Sequence, residues 1–344
     1  MSRRLLAINP VDHPGGAEVT SMRLLDGLRQ RGWEVAVTTP GRGPLADAVR
    51  AAGFDWHRLP VGGLGAGQGA RAVASSRRAR RLAAGRDAVV LNGAVCGRLL
   101  PALGLGARRA RLVLHVHDIV ARVPRFWRVA DAIVAASGAV ARSLGRLPSR
   151  VVYPPVDGEP PAAEVPWPAS GGPVIGFVGR LEARKGPLDL VRAAAAIRAG
   201  APGARLVLVG GDPYGMSPEY AATVLEEAAG ANVEHVPWVS NAPGVMRHLD
   251  VLVLPAYREP FGTVLAEAMA VGTPVVATRV DGLVEVVEDG VSGRLVAPGD
   301  PDALAAAVLD VISRAAPMGA AAREAAGRFL TERHVDEMEA LLAA

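Results

Sequence analysis

Residues 251–278 read VLVLPAYREPFGTVLAEAMAVGTPVVAT, and the pattern of this stretch decides the fold. The first four residues form a continuous apolar run that predicts a buried strand, and the residues from Gly262 predict a helix. Residues 274–277 form a second buried strand. Apolar strands separated by a helix are typical of parallel sheets that are covered by helices on both faces.

The same alternation of strand and helix recurs along the chain. Predicted strands lie at 5–9, 35–38, 88–91, 112–116, 132–135 and 151–153 in the first half, and at 174–178, 206–209, 251–254, 274–277 and 294–296 in the second. Helical patterns between them include 17–30, 71–84 and 139–144. The chain is therefore predicted to be α/β, with two Rossmann-like, doubly wound parallel-sheet domains that face each other across a cleft.

Proline content indicates the domain boundary. Seven prolines lie between residues 154 and 173, which favours an interdomain linker. We expect a first domain at 1–160, a linker at 161–172 and a second domain at 173–327. Doubly wound sheets bind ligands beyond the carboxyl ends of their strands, so the loops that follow the strands are the places to look for function.

Composition limits the class of protein. Half of the 344 residues are apolar, enough for two cores. No apolar run reaches the roughly 18 residues of a membrane-spanning helix, and residues 1–8 lack the features of a signal peptide. These observations predict a cytoplasmic protein. Cys96 is the single cysteine, which excludes an intramolecular disulfide or a thiolate metal cluster, and it is expected in the core.

Charge is distributed unevenly between the halves. Residues 1–165 carry 24 arginines against 12 acidic residues, whereas residues 166–344 carry 14 basic against 22 acidic residues. The densest arginine cluster, at 77–81, has no interleaved aromatic residues, which argues against a nucleic-acid partner. A solvated helix face, peripheral contact with a membrane and an anionic acceptor all remain open.

Two cations flank the loop that follows the first strand of the second half. Residues 179–186 read GRLEARKG and place Arg180 and Lys185 between a strand and a helix. Lys185 is the single lysine in a chain with 37 arginines, which suggests a site that needs a compact ammonium group. A departing diphosphate needs positive charge of this kind.

The loop and helix after residue 254 carry further candidates. Glu259 lies above a strand end, where it could accept sugar hydroxyls, and Gly262 opens a helix whose first amides, at Thr263 and Val264, could bind phosphate. Glu267 is a carboxylate on an otherwise apolar helix and needs a partner, for which a ribose diol would serve. Capping or a salt bridge is the alternative role for either acid.

In the first half, Gly15 and Gly16 form a strand-to-helix turn where the backbone could approach an anion, although an ordinary tight turn is the alternative.

His117 follows the strand at 112–116 and could bind a sugar hydroxyl or transfer a proton, or it could be a buried structural histidine. His115 is expected to be structural, and no third zinc ligand is evident nearby. The glycine-rich residues 62–69 lack the spacing of a dinucleotide fingerprint and predict a loop.

Taken together, these motifs resemble those of retaining GT-B glycosyltransferases, specifically glycosyltransferase family 4. The resemblance covers essentially the whole chain and is carried by the turn at 15–16, the loop at 179–186, the run from 259 to 278 and the residues at 290–296. It implies the GT-B fold, with a final helical segment at about 328–344 that crosses back onto the first domain.

The resemblance also implies roles for particular residues. Arg180 and Lys185 would bind the donor diphosphate, Glu259 the donor hexose, and His117 the transferred sugar. The implied donor-binding positions are Gly15, Gly16, Val239, Phe261, Gly262, Thr263, Val264 and Glu267, with Glu267 on the ribose, the peptide near Val239 on the base and Gly16 near the phosphates.

The implied reaction transfers a hexosyl unit from a nucleoside-diphosphate sugar to an acceptor hydroxyl, with retention and with no metal or other cofactor. The acceptor would be a small molecule or a lipid-linked glycan. An inverting transferase with His117 as base, a glycoside phosphorylase and a non-catalytic nucleotide-sugar-binding protein are the alternatives. Four departures from the family pattern leave the donor base and sugar open: Pro154, Trp238, Ala256 and Asp281.

Overall fold

The computed structural model describes residues 2–61, 69–105, 109–161, 163–165, 167 and 171–344. Residues 62–68 of the predicted glycine-rich loop lie outside this description, as do residues 162, 166 and 168–170 of the predicted linker. The chain divides into two compact units. The first comprises the residues up to Pro155 together with Thr331–Ala344, and the second comprises Val156–Leu330.

The described part of the first unit contains a seven-stranded parallel sheet. Its strands are β1 (Arg4–Ile8), β2 (Glu34–Thr39), β3 (Asp55–Arg58), β4 (Ala88–Asn92), β5 (Arg111–Val116), β6 (Ala132–Ala135) and β7 (Arg150–Val151). Apart from the C-terminal helix, its helices are α1 (Gly16–Gln30), α2 (Pro44–Ala51), α3 (Gly69–Ala83), α4 (Leu100–Leu103) and α5 (Gly138–Ser143). The strand order β3-β2-β1-β4-β5-β6-β7 reverses direction between β1 and β4, the switch point where such sheets bind ligands.

Alternation along the strands builds a core on each face of this sheet. In β1, Leu6 and Ile8 belong to one buried cluster, whereas Leu5 and Ala7 belong to the other. Successive side chains of a strand point to opposite faces, so an uninterrupted apolar run fills both cores.

The described part of the second unit contains a six-stranded parallel sheet. Its strands are β8 (Val174–Arg180), β9 (Arg205–Gly211), β10 (Glu234–Val236), β11 (Val251–Leu254), β12 (Val275–Thr278) and β13 (Gly293–Val296). Its helices are α6 (Pro187–Gly200), α7 (Pro218–Gly230), α8 (Ala242–Met246), α9 (Thr263–Ala270), α10 (Leu283–Val286), α11 (Pro301–Ser313) and α12 (Ala315–Ala326). The order β10-β9-β8-β11-β12-β13 places the switch point between β8 and β11.

The segment 161–172, which the sequence predicts as a linker, belongs to the second unit where the structure describes it. The side-chain amide of Asn241 donates to the carbonyl of Pro161 at 2.9 Å, and the indole of Trp167 is buried. Prolines restrict the backbone but do not prevent such contacts. The hydrogen bond and the buried indole show that the described part of the segment packs against the second unit.

The last helix, α13 (Thr331–Ala343), belongs to the first unit. Its residues Val335, Met338 and Leu342 lie in the core cluster that contains Leu5 and Ala7. Trp33 also donates from Nε1 to Glu339 at 2.8 Å. These apolar and polar contacts dock the C-terminal segment on the sheet of the first unit.

The predicted α/β fold with two parallel sheets is confirmed, and two strands are additions to it. β3 and β10 are short edge strands of mixed polar sequence, so no apolar run in the sequence predicts them.

Cys96 is fully buried, and burial raises the pKa of its thiol. In the described residues no single helix has the length and apolar character to span a membrane; α11 together with Ala315–Phe329 meets those criteria only as a pair bent by 95°.

Candidate donor-binding site

Two loops meet at the carboxyl edge of the second sheet. The loop at 181–186 follows β8 and the loop at 255–262 follows β11, and these strands are neighbours. The backbone amides of Tyr257 and Arg258 both donate to the carbonyl of Arg184, at 2.8 and 3.3 Å. The two strongest motifs of the sequence are therefore joined into one site by main-chain hydrogen bonds.

The side chains of these loops form an alternating chain of charges. Lys185 Nζ lies 2.7 Å from Glu259 Oε2, and Arg184 Nη1 lies 3.2 Å from the same oxygen. Glu182 Oε1 lies 2.8 Å from Arg184 and 3.2 Å from Arg180. We call these five residues, Arg180, Glu182, Arg184, Lys185 and Glu259, the cationic cradle. Three cations against two carboxylates leave a positive surplus for an anionic ligand.

Glu259 is the most buried member of the cradle, with 8% of the residue exposed. Burial alone would raise the pKa of its carboxyl group, but the nearby charges of Lys185 and Arg184 outweigh burial and bring the pKa below its usual value. The group is therefore an ionised acceptor at neutral pH. Such a carboxylate can bind sugar hydroxyls while it holds both cations in place.

The backbone of Glu259 is fixed by the turn after β12. Its amide donates to Asp281 Oδ2 at 3.0 Å, and its carbonyl accepts from the amide of Gly282 at 3.1 Å. Asp281 has a φ of +40°, a left-handed conformation that Asp tolerates better than most side chains. The departure from the family pattern at this position thus adds an anchor for the candidate sugar-binding acid.

Gly186 allows the tight approach of the two loops. Its φ is +66°, and a Cβ added there would lie 2.1 Å from the carbonyl oxygen of Pro255. Pro187 then opens α6 with a φ suited to a helix start. A side chain at position 186 would push the loop that carries Lys185 away from the loop that carries Glu259.

The helix α9 begins beside the cradle. Gly262 precedes it with a φ of +89°, and the amide of Leu265 donates to the carbonyl of Gly262 at 2.9 Å. The amides of Thr263 and Val264 are the first two of the helix and so have no intrahelical acceptor. Glu267 lies one turn further on the same face, half-buried. The arrangement offers amide donors for phosphate and a carboxylate one turn away.

Two other predicted positions differ in character. The side chain of Phe261 is buried in an edge-to-face contact with Phe329, with 5.3 Å between ring centroids, so only its backbone is available to a ligand. Val239 lies half-buried in the loop after β10, next to the exposed Trp238. Because β10 is two strands from β8, this loop lies roughly 10 Å from the end of β8 along the sheet.

The predicted residues of the first unit surround its own switch point. His117 Nε2 lies 2.6 Å from Asn92 Oδ1, and Asn92 Nδ2 donates to Asn9 Oδ1 at 2.9 Å. Asn92 also donates to the carbonyl of Ala17, at 3.3 Å in the first turn of α1. This network connects the ends of β1, β4 and β5 to the helix that the glycine turn opens.

His117 is neutral in this environment. Burial, with a smaller contribution from His334, lowers the pKa of its imidazole to about 3. Because Asn92 uses its amide nitrogen as a donor to Asn9, its oxygen accepts from His117, which places the imidazole proton on Nε2. His115 packs against the same ring at 4.0 Å between centroids, and burial lowers its pKa well below the usual value.

The glycine turn begins α1. Gly15 is the residue before the helix, and its amide donates to Glu18 Oε2 at 3.0 Å. Burial raises the pKa of the Glu18 carboxyl group. Gly16 is exposed, and a Cβ added there would meet no atom within 4 Å. In the part of the chain that the structure describes, no packing contact requires glycine at position 16, whereas close approach of a ligand would.

Each unit therefore gathers part of the predicted set. Arg180, Lys185, Glu259 and the N-terminus of α9 lie together in the second unit, and His117 lies with the glycine turn in the first. Sequence reasoning missed Glu182, Arg184 and Asn92, and it identified Asp281 only as a departure from the family pattern, not as a residue that anchors Glu259. Glu182 and Arg184 stand inside the GRLEARKG motif, so alternating charge between the two predicted cations was the signal that could have identified them.

Among the residues that the structure describes, no group of three or more His, Cys, Asp or Glu side chains is arranged to hold a metal ion. Metal independence remains a prediction about the reaction.

Two family models match the chain. The model described as Glycosyltransferase Family 4 matches residues 14–159, and the model described as Glycosyl transferases group 1 matches residues 172–314. The first match covers β2 to β7 and the second covers β8 to β13, and together they span most of the chain.

Curated relatives with the name D-inositol 3-phosphate glycosyltransferase match part of the chain. The relative from Geodermatophilus obscurus is 40% identical over 183 residues, which is 50% of this chain and 40% of the relative. The relative from Mycobacterium marinum is 39% identical over 176 residues, which is 48% of this chain and 37% of the relative. The matched region thus spans at most about 40% of the length of these two relatives.

Solved structures share the fold over nearly the full chain. Anabaena HepE in complex with UDP and glucose superposes with a TM-score of 0.81 at 22% identity and covers 99% of both chains. A glycosyltransferase from Rickettsia africae gives a TM-score of 0.84 at 18% identity, with 99% of this chain and 98% of that one covered.

The fold and the two switch-point sites define a two-domain α/β protein of the GT-B type. With both family models matched in order, the chain belongs to glycosyltransferase family 4.

Proposed function

We propose that this chain transfers a hexosyl unit from a nucleoside-diphosphate sugar to an acceptor hydroxyl, with retention at the anomeric carbon and without a metal ion. The observation that carries the proposal is the cationic cradle beside the N-terminus of α9. Three cations and two helix amides converge at one strand switch point, and a diphosphate is the leaving group that such an arrangement stabilises.

The proposed chemistry needs only groups that this chain and its substrates supply. The bond from the anomeric carbon to the donor phosphate breaks, and the acceptor oxygen bonds to the same face of that carbon. The acceptor proton passes to an oxygen of the departing diphosphate. Arg180 and Lys185 stabilise the negative charge that develops on the diphosphate, while Glu259 orients the hexose and Glu267 the ribose.

The state of His117 favours retention over the inverting alternative. A base that removes the acceptor proton works best with a pKa near the working pH, and burial lowers the pKa of His117 to about 3. Its Nε2 proton is donated to Asn92. We assign His117 the role of a neutral hydrogen-bonding group for the transferred sugar.

The comparisons guide the choice of substrates. Because HepE was solved with UDP and glucose, UDP-glucose is the first donor to test, followed by the GDP, ADP and dTDP sugars. Because the curated relatives carry the name D-inositol 3-phosphate glycosyltransferase, D-inositol 3-phosphate is the first small acceptor to test. A lipid-linked glycan is the second class of acceptor.

The test is release of nucleoside diphosphate from each donor, with and without acceptor, in the presence of EDTA. We expect one donor class to be turned over with the metal chelated, and the anomeric configuration of the product, read by NMR, to match that of the donor. Inversion of the anomeric configuration would reject retention, and dependence on inorganic phosphate would favour a phosphorylase. Loss of turnover in EDTA would reject metal independence. Binding of a donor without any turnover would favour the non-catalytic alternative.

A further inference from the structure

A cavity of about 550 Å³ lies in the first unit, outside the network around His117. Its walls come from the segment after β4, which contains the 3-10 turn Ala94–Leu99, and from the segment after β5, which contains the 3-10 turn Arg125–Val129. Both segments leave the carboxyl edge of the sheet. The volume is in the range that binds small molecules.

Three arginines line this cavity: Arg98, Arg122 and Arg125. All three are exposed, and none of the described residues that line the cavity is acidic. Between residues 93 and 130 the sequence contains seven arginines and one acidic residue, Asp118. Guanidinium groups bind phosphate and carboxylate through paired hydrogen bonds, so the cavity is suited to such an anion.

The remaining walls are apolar. Val95 and Phe126 line the cavity and are 41% and 37% exposed, among the exposed large hydrophobic side chains of the chain. Apolar surface beside a cationic group favours a ligand that joins an anion to an apolar part over a free inorganic ion.

Trp127 forms the buried part of the cavity wall. Its side chain lines the cavity and is 2% exposed, and its Nε1 has no hydrogen-bond partner within the described part of the chain. The indole N–H packs against Gly97, where an added Cβ would lie 2.5 Å away. Gly97 is buried and is not among the residues that line the cavity, so glycine at this position lets the indole pack tightly and close the inner wall.

We propose that this cavity binds a phosphate ester joined to an apolar group, and that the acceptor of the reaction carries it. The arginines would hold the phosphate, and Val95 and Phe126 would contact the apolar part. The identification of the ligand as the acceptor rests on the proposed function, whereas the binding of the anion does not. The source could be a soluble phosphorylated acceptor or a phospholipid headgroup, since both present the same chemistry.

The test uses octyl phosphate as the probe, with octyl glucoside as an uncharged molecule of the same chain length. Calorimetric titration should show octyl phosphate binding at least about tenfold more tightly than octyl glucoside, the effect of one or two charged hydrogen bonds. The double variant Arg122→Gln/Arg125→Gln should abolish this preference. The matched control Arg77→Gln/Arg78→Gln removes two exposed arginines from α3 and should keep it.

Co-sedimentation with vesicles of phosphatidylglycerol or phosphatidylcholine distinguishes the two sources. Binding to phosphatidylglycerol that the cavity variant loses and the control retains identifies a lipid headgroup; octyl phosphate binding without such vesicle binding identifies a soluble acceptor. Equal affinity for both octyl compounds, or equal losses in the two variants, would overturn the proposal. If the chain binds a nucleoside diphosphate but shows no preference for octyl phosphate, the proposed function stands and the cavity proposal is rejected. If it prefers octyl phosphate but binds no nucleoside diphosphate, the proposed function is rejected and the cavity remains an anion site.

Discussion

The ammonium group of Lys185 lies 2.7 Å from Glu259 Oε2, and the two side chains are 13% and 10% exposed. The carboxylate therefore positions the cation, and the cation keeps the buried carboxylate ionised. Arg184 contacts the same oxygen, so loss of Lys185 would leave Glu259 with one cation rather than none.

Replacement of Lys185 by Ala should lower turnover by roughly 10²–10³, the scale of one preorganised charge-stabilising contact. Lys185→Arg should recover only part of this loss, because a planar guanidinium cannot occupy the position of a compact ammonium. The control is Arg192→Gln, which removes an exposed ion pair with Glu227 from α6 and should leave turnover unchanged. Steady-state release of nucleoside diphosphate checks this, and turnover of the alanine variant within twofold of wild type would remove Lys185 from the site.

Asp281 should act as a positioning residue for Glu259. Asp281→Ala removes the acceptor for the Glu259 amide and should lower kcat/KM for the donor about tenfold, whereas Asp281→Asn keeps an acceptor and should stay close to wild type. In a Glu259→Gln background the alanine substitution should add little, because its effect acts through Glu259. An additive loss in that double variant would show that Asp281 acts by another route.

Gly186 should be intolerant of any side chain. Gly186→Ala places a Cβ in a left-handed conformation and against the Pro255 carbonyl, so we expect a loss of at least about 2 kcal/mol in stability. Gly230→Ala, at the end of α7, has open space around the added Cβ and should be neutral. Urea unfolding followed by fluorescence measures both, and equal midpoints for the two variants would contradict the packing described here.

The histidine cluster of the first unit should make that unit sensitive to mild acid. Burial lowers the pKa of His117 to about 3 and of His334 to about 4, and it lowers the pKa of His115 well below its usual value. Below about pH 6.5 these histidines bind protons in the unfolded chain but remain neutral in the folded chain, so the stability present at neutral pH is lost as the pH falls.

The expected loss is about 2 kcal/mol per histidine at pH 5 relative to pH 7.5. Urea unfolding at the two pH values measures it. His334→Gln keeps a polar side chain beside Tyr153. It should reduce the change in the free energy of unfolding between the two pH values by the contribution of one histidine. A variant with the same pH dependence as wild type would show that His334 already takes up its proton in the folded state.

The two parallel sheets could be predicted because their central strands are uninterrupted apolar runs. β3 and β10 could not, since an edge strand buries little and its sequence is mixed: Asp55–Arg58 reads DWHR and Glu234–Val236 reads EHV. The same limit applies to the segment 161–172, because prolines indicate a break in regular structure but do not indicate which unit the segment packs against.

In the site, residue types at strand ends could be predicted, but their contacts could not. Arg180, Lys185 and Glu259 were identifiable as charges beside a helix start. Lys185 and Arg184 contact one oxygen of Glu259 from positions 74 and 75 residues away in sequence, so this pairing depends on tertiary structure. The anchor from Asp281 depends on a left-handed residue, which the sequence alone does not distinguish from an ordinary turn aspartate.

The proposed function requires the cationic cradle to bind the diphosphate of the donor. The most direct measurement compares, by calorimetry, the affinities of a nucleoside diphosphate and its parent nucleoside for wild type and for Lys185→Ala, using the base that stabilises the wild type most in a thermal-shift screen. We expect the diphosphate to bind wild type at least about tenfold more tightly than the nucleoside, and the variant to lose most of this preference. An undiminished preference in the variant would show that Lys185 does not bind the diphosphate.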